Sequence, residues 1–320
     1  MTSISNQDLK KFFYGVYTFK KSAEYLAFYR CSEEQIENLE YDKFYQDRTK
    51  FSASVCIGLR TNAKKVSFDY KIAEISLRDT FDVYVNGILT VSKNEQDLET
   101  EGKLEEGKLD FVLPDGDKNV EIYFPIDTEV YIKNFQIDGE YAPLPPKTCN
   151  VLWLGDSITQ GAGGFMGGQT YVNIVTRKMN YNSLNQGLGG YKFDTHILLP
   201  LPNFKPDKIF VALGTNEWVS GFEERAGGFF AKVQELYPGV PVLAITPLWR
   251  GDIPEKIHEY EIMKKHILDI SKKYTNMRVI DGFEMIPHVS QAFWDNLHPN
   301  AWGYEMYANN LIKKIKELRF

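Results

Sequence analysis

Cysteine is scarce. The 320 residues carry three, Cys31, Cys56 and Cys149, widely spaced and odd in number. That excludes a disulfide framework and a cysteine-based metal site, and it fits a reducing compartment. Long apolar runs are missing as well. No stretch reaches the ~20 apolar residues of a membrane span, and Met1 to Lys10 hold no apolar run of signal-peptide length. A cytoplasmic location is therefore expected, with no membrane partner. Positive charge is not in excess: 37 Lys and Arg against 43 Asp and Glu leave a net charge of -6, without the basic stripe a nucleic-acid partner needs. Neither His-Glu-x-x-His nor Gly-Lys-Ser/Thr occurs, so no metal, phosphate loop or other cofactor is expected. The glycines from Gly161 to Gly168 invite a dinucleotide reading, but after Gly161 and Gly163 the third glycine position is Met166. That stretch reads instead as a mobile loop.

What is present suits a soluble two-domain protein: 43% hydrophobic residues, 25% charged and 14% aromatic. From about residue 12 to 140 short alternating runs recur, such as Ser52 to Leu59, Val66 to Tyr70 and Phe81 to Val85, punctuated by Asn86-Gly87. Period-two alternation with tight turns predicts an antiparallel β-sandwich or jelly roll. Ser92 to Asp110, charged and poor in apolar residues, reads as a solvated loop or exposed hairpin. Tyr141-Ala142-Pro143-Leu144-Pro145-Pro146-Lys147 is a stiff joint, placing the domains at 1–145 and 146–320. Beyond it, apolar runs at 151–154, 209–213, 242–245 and 279–280 alternate with helical patterns near 170–179, 222–237, 255–273 and 301–318. This alternation predicts a doubly wound α/β domain with a parallel sheet. Tyr304, Tyr307, Leu311, Ile315 and Leu318 form a stripe expected in its core.

In such a sheet, reactive groups gather at the carboxyl ends of the strands. Gly155-Asp156-Ser157-Ile158-Thr159, Asn185-Gln186-Gly187-Leu188-Gly189-Gly190, Gly214-Thr215-Asn216-Glu217 and Asp295-Asn296-Leu297-His298-Pro299 all fall there. A serine hydroxyl needs a base to take its proton, and a histidine base needs a carboxylate to hold its tautomer. Of five histidines, His298 alone has an Asp three residues ahead. The expected set is Ser157 as nucleophile, His298 as base and Asp295 as its orienting partner. The oxyanion donors expected are the Ser157 N–H, the Gly190 N–H and the Asn216 amide. Gly189 competes with Gly190 for that role, and Asn216 reads equally as a helix N-cap. Trp249 and Arg250, after the fourth strand, are candidates for a substrate wall; Trp294, beside Asp295, lies where such a wall would be, but core packing explains it at least as well.

In order and spacing these four blocks resemble the SGNH/GDSL hydrolases. The resemblance covers the C-terminal half and implies a flavodoxin-like fold, a Ser157-His298-Asp295 triad, and an oxyanion hole from Ser157, Gly190 and Asn216. Glu217 departs from the pattern, standing where many members carry Asp. Phe28-Tyr29-Arg30 leading to Glu33-Glu34-Gln35, with Phe81 to Gly87 and Val120 to Pro125, resembles the jelly-roll domain preceding the hydrolase domain of two-domain carbohydrate esterases. The implied partner is a small-molecule or oligosaccharide ester, usually acetylated. Two rival readings are a lysophospholipase or thioesterase for longer acyl chains, and a glycan-binding protein without activity.

Overall fold

The computed structural model describes residues 1–72, 80–94 and 105–320. The chain divides into two compact units that interleave in sequence. One comprises Met1–Cys31, Lys50–Lys147 and Phe165–Gly168; the other comprises Ser32–Thr49, Thr148–Gly164 and Gln169–Phe320.

The first unit is a β-sandwich. Its strands are β1 (Thr2–Ser3), β2 (Phe13–Tyr14), β3 (Thr18–Ser22), β4 (Tyr25–Tyr29), β5 (Cys56–Thr61), β6 (Lys65–Ile72), β7 (Thr80–Val85), β8 (Ile88–Asn94), β9 (Glu105–Val112), β10 (Lys118–Tyr123), β11 (Val130–Ile137) and β12 (Tyr141–Pro143). A short helix, α1 (Asn6–Leu9), lies between the first two. One antiparallel sheet runs β3-β4-β11-β6-β9, with β1 on β11; the other runs β12-β5-β10-β7-β8, with β2 on β5. Inward residues of both sheets, including Ile57 and Leu59 of β5 with Phe68 and Tyr70 of β6, form one apolar core. Asn86 and Gly87 join β7 to β8 with φ of 50° and 81°, the paired positive values that a two-residue type I′ hairpin requires. The charged stretch from Ser92 to Asp110, expected as a solvated loop or exposed hairpin, begins in strand β8 and ends in strand β9, while its centre, 95–104, lies outside the described residues.

Phe165–Gly168 is pinned into this unit, against the expectation of a mobile loop. The Thr80 N–H donates to Phe165 O (3.0 Å) and the Gly168 N–H to Asp82 Oδ2 (3.2 Å). A Cβ on Gly167 would lie 2.4 Å from Phe124 O, and one on Gly168 2.1 Å from the Tyr84 ring. Backbone packed this closely has little room to move.

The second unit holds α2 (Glu33–Asn38), α3 (Lys43–Arg48) and α4 (Ser157–Gln160), then α5 (Tyr171–Met179), α6 (Phe222–Leu236), α7 (Ile257–Ser271) and α8 (Ala301–Leu318). Its sheet is parallel: β13 (Cys149–Gly155), β14 (Tyr181–Gly187), β15 (Lys208–Ala212), β16 (Val242–Ile245) and β17 (Met277–Ile280), in the order β14-β13-β15-β16-β17. This is the 2-1-3-4-5 order of flavodoxin-like folds, whose strand order reverses beside the first strand and opens a crevice at its carboxyl end. Trp153 of β13 stacks on Phe210 of β15, and Tyr171 of α5 on Tyr307 of α8, both at 4.1 Å between ring centroids. In the α8 stripe Tyr304, Tyr307, Leu311 and Ile315 are buried, but Leu318, at the helix end, is 38% exposed.

Candidate active site

The turn that carries Ser157 is built by close packing at the end of β13. A Cβ on Gly155 would lie 2.0 Å from Thr159 Oγ1 and 2.9 Å from Ala212 O, so only glycine lets the chain turn here. Asp156 caps α4, its carboxylate accepting from the Ile158 N–H (3.0 Å). Ser157 thus opens a helical turn. From α8, the Tyr304 hydroxyl hydrogen-bonds to Ile158 O (3.1 Å) and Ala162 O (2.7 Å), clamping both ends of the turn.

The loop before α8 carries Asp295 and His298. Residues 293–299 form a tight hairpin closed by Trp294 N–H on His298 O (2.8 Å), with Asn296 left-handed at φ 62°. Asp295 Oδ1 accepts from the backbone N–H groups of Leu297 (3.0 Å) and His298 (2.7 Å), while Oδ2 lies 2.8 Å from His298 Nδ1. The Nε2 of the same ring lies 2.9 Å from Ser157 Oγ. Partial burial pushes the Asp295 carboxyl upward, but its hydrogen bonds from His298 and Leu297 outweigh this and hold it below the ordinary carboxylate value. Gly163 packs against His298: with φ 83°, a Cβ there would lie 2.7 Å from His298 Cβ. Asp156 differs from Asp295. Its complete burial raises its pKa to about 6, against the pull of the Ile158 N–H and the nearby His298.

Two further strand ends carry the other residues expected as oxyanion donors. After β14, Leu188 to Tyr191 form a turn closed by Tyr191 N–H on Leu188 O (3.0 Å), with Gly190 at φ 75° in the third position. The Gly189 N–H is occupied by Gln160 Oε1 (2.8 Å), whereas the Gly190 N–H donates to no described residue. After β15, Asn216 Nδ2 donates to Tyr191 O (3.2 Å), which ties the third loop to the second. Glu217 continues the tie. Its buried carboxylate accepts from the Phe193 N–H (2.8 Å) and pairs with Arg225 of α6 (2.7 Å), so the longer side chain spans two loops.

Arg250 and Trp249 are committed to neighbouring protein groups. Arg250 makes a two-pronged pair with Asp252 (2.9 and 2.6 Å) and donates to Thr215 O (3.0 Å), holding the loop that carries Asn216. Trp249 stacks flat on His288 (5.2 Å) and packs against Phe293 at the base of the His298 hairpin. Trp294, which reads from the sequence as either core or substrate wall, is 49% exposed. The sequence reading missed α2 and α3, which pack on the Gly190 loop. Gln35 Nε2 donates to Ile197 O (2.7 Å) and the Tyr45 hydroxyl to Gly190 O (3.1 Å). A signal was present in Ser32-x-x-Gln35, a capping box with both of its bonds formed.

Residues 153–306 match the family model of the GDSL-like lipase/acylhydrolases. The chain carries a GDSL-like ester hydrolase domain. Human platelet-activating factor acetylhydrolase IB subunit alpha2 is 29% identical to it over 188 residues, covering 54% of this chain and 78% of the relative. Among solved structures, a salicylyl-acyltransferase from a tetracycline biosynthetic pathway superposes with a TM-score of 0.81 at 18% identity, covering 99% of this chain and 97% of that one. A family two carbohydrate esterase from Clostridium thermocellum, in complex with cellohexaose, gives 0.66 at 14% identity, covering 96% and 98%. At these identities the structural likeness is one of fold, and it extends over both units of this GDSL-domain protein.

Proposed function

We propose that the protein is a serine esterase that removes short acyl groups, acetyl above all, from carbohydrate esters through an acyl-enzyme on Ser157. The observation that carries this reading is the unbroken chain Ser157 Oγ, His298, Asp295, with links of 2.9 and 2.8 Å. In the first step Ser157 Oγ bonds to the ester carbonyl carbon as His298 Nε2 takes the hydroxyl proton. The carbonyl oxygen becomes an oxyanion facing the N–H groups of Ser157 and Gly190 and the Asn216 amide. Collapse breaks the bond to the sugar oxygen, which leaves with the proton from His298. Water then repeats the sequence on the acyl-enzyme, with His298 again as base, and frees the carboxylic acid and Ser157. Asp295 stays ionised throughout, steadying the imidazolium.

Support for a short acyl group comes from the human relative, an acetylhydrolase by name, and support for a sugar from the cellohexaose-bound neighbour. Trp294 and Trp218 add to it. Both are about half exposed and adjoin the site in sequence, one beside Asp295 and one two residues after Asn216 with the Lys256 ammonium 3.4 Å over one face of its ring, and exposed aromatic faces suit sugar rings. Trp249, stacked on His288, fits a support for the hairpin better than a free platform. The test is kcat/KM for nitrophenyl acetate, butyrate and octanoate, together with acetate release from acetylated xylo- and gluco-oligosaccharides, with Ser157→Ala as control. A preference for acetate, with sugar deacetylation lost in Ser157→Ala, is expected. A real acyl tunnel would instead gain up to ~0.8 kcal/mol per methylene. A maximum at octanoate with no acetate from any sugar would transfer the protein to the lipid or thioester class.

A further inference from the structure

We propose that Tyr45, on α3, is a positioning residue that braces two of the three oxyanion donors at once. The inference rests on the esterase reading above. Tyr45 enters the second unit through the Ser32–Thr49 segment, far in sequence from the four hydrolase blocks. Its hydroxyl donates to the Gly190 carbonyl (3.1 Å), and its ring meets the Tyr191 ring edge-on at 5.1 Å and 82°. Tyr191 in turn accepts the Asn216 amide on its carbonyl (3.2 Å). One side chain therefore touches the residue that offers the backbone donor and the residue that aims the side-chain donor.

Each contact acts on orientation. Gly190 lies at φ 75°, where glycine has wide freedom, and hydrogen-bonding its carbonyl restrains rotation about the flanking bonds. Phe44, the preceding residue, closes the remaining space: a Cβ on Gly190 would lie 3.1 Å from its ring. Tyr191 is itself immobile, fully buried, its hydroxyl donating to Asp194 O (3.0 Å) and accepting from the Ile197 N–H (3.1 Å). With one amide hydrogen of Asn216 on Tyr191 O, the second is directed by the plane of the amide. Burial raises the pKa of the Tyr45 phenol, which keeps it a donor at neutral pH. Donors held before the reaction need no reorganisation as charge develops on the carbonyl oxygen, so loosening the brace weakens transition-state binding more than substrate binding.

The experiment compares wild type, Tyr45→Phe, Asn216→Ala and the double variant. It measures kcat and KM on nitrophenyl acetate, inhibition by an alkyl boronic acid, fluorophosphonate labelling and thermal melting. Tyr45→Phe keeps the ring and removes the hydroxyl, so folding should be retained. Its kcat should fall by about tenfold with KM within about twofold, and boronate affinity should fall by the same factor as kcat. In the Asn216→Ala background the Tyr45→Phe effect should shrink, since a shared function is already impaired. An active wild type whose Tyr45→Phe variant keeps full kcat and boronate affinity, or loses activity only in step with its folded fraction, overturns this inference alone. A wild type that neither hydrolyses the ester nor labels with fluorophosphonate overturns the esterase reading and this inference with it.

Discussion

Asp156 serves the Ser157 turn twice, as the cap of α4 and as a buried carboxyl near His298, and the two roles respond differently to substitution. A rise of its pKa from the ordinary 3.8 to about 6 corresponds to about 3 kcal/mol favouring the neutral form in the folded protein. The stability linked to that form is fully present below pH 3.8 and is lost as pH rises through about 6. Asp156→Asn keeps a capping oxygen and cannot ionise. It should therefore melt higher than wild type at pH 8, with the gap closing by about pH 4. Activity should move the other way, falling by about tenfold at pH 8, because the imidazolium formed in each step loses a nearby negative charge. Melting curves and kcat across this pH range check both signs; a gap that persists at pH 4 would contradict the assigned cause. Asp295, with its pKa lowered, has the opposite linkage: its contribution is present above the ordinary carboxylate value and is lost as pH falls through the lowered one.

Between elements, the site depends on backbones that approach too closely for any side chain. The loop after α4 illustrates this at Gly163, which touches His298 while its own chain is tied to the Ser157 turn. Gly163→Ala places a Cβ 2.7 Å from His298 Cβ at a φ that L-residues rarely adopt. Its kcat should fall by about 10- to 100-fold through displacement of the base, with KM little changed. An unchanged kcat in a folded variant would show that the hairpin yields without consequence. Part of this was legible beforehand: the four blocks marked the strand ends, and Asp295-x-x-His298 marked two side chains that the structure joins at 2.8 Å. Other features were not. Sequence alone gives no sign that Asp252 and Thr215 O engage Arg250 or that His288 stacks on Trp249, and the exposure of Trp294 is decided by distant neighbours. The six-residue helices α2 and α3 are too short to show a helical period, so a capping box was their main local mark.

For the molecule as a whole, the interleaving of the two units matters more than either fold. Residues 148–320 contain all four hydrolase blocks, yet the second unit also includes Ser32–Thr49. A chain of 148–320 alone would uncover Ile197 O, Gln186 and the Gly190 carbonyl, which Gln35 and Tyr45 otherwise engage. It should melt lower than the full chain and label with fluorophosphonate at least about tenfold more slowly. Equal labelling rates would show that the segment is dispensable. The same interleaving has a consequence during synthesis on the ribosome. The Gln35 and Gln186 side chains that meet in the finished protein are 151 positions apart. At ~5–20 residues per second, roughly 8–30 s separate their emergence. Throughout that interval the aromatic side chains of α3 wait without the surface they will cover. The yield of active protein in a cell should then respond to growth temperature and chaperone supply more strongly than the melting point of the purified protein would suggest.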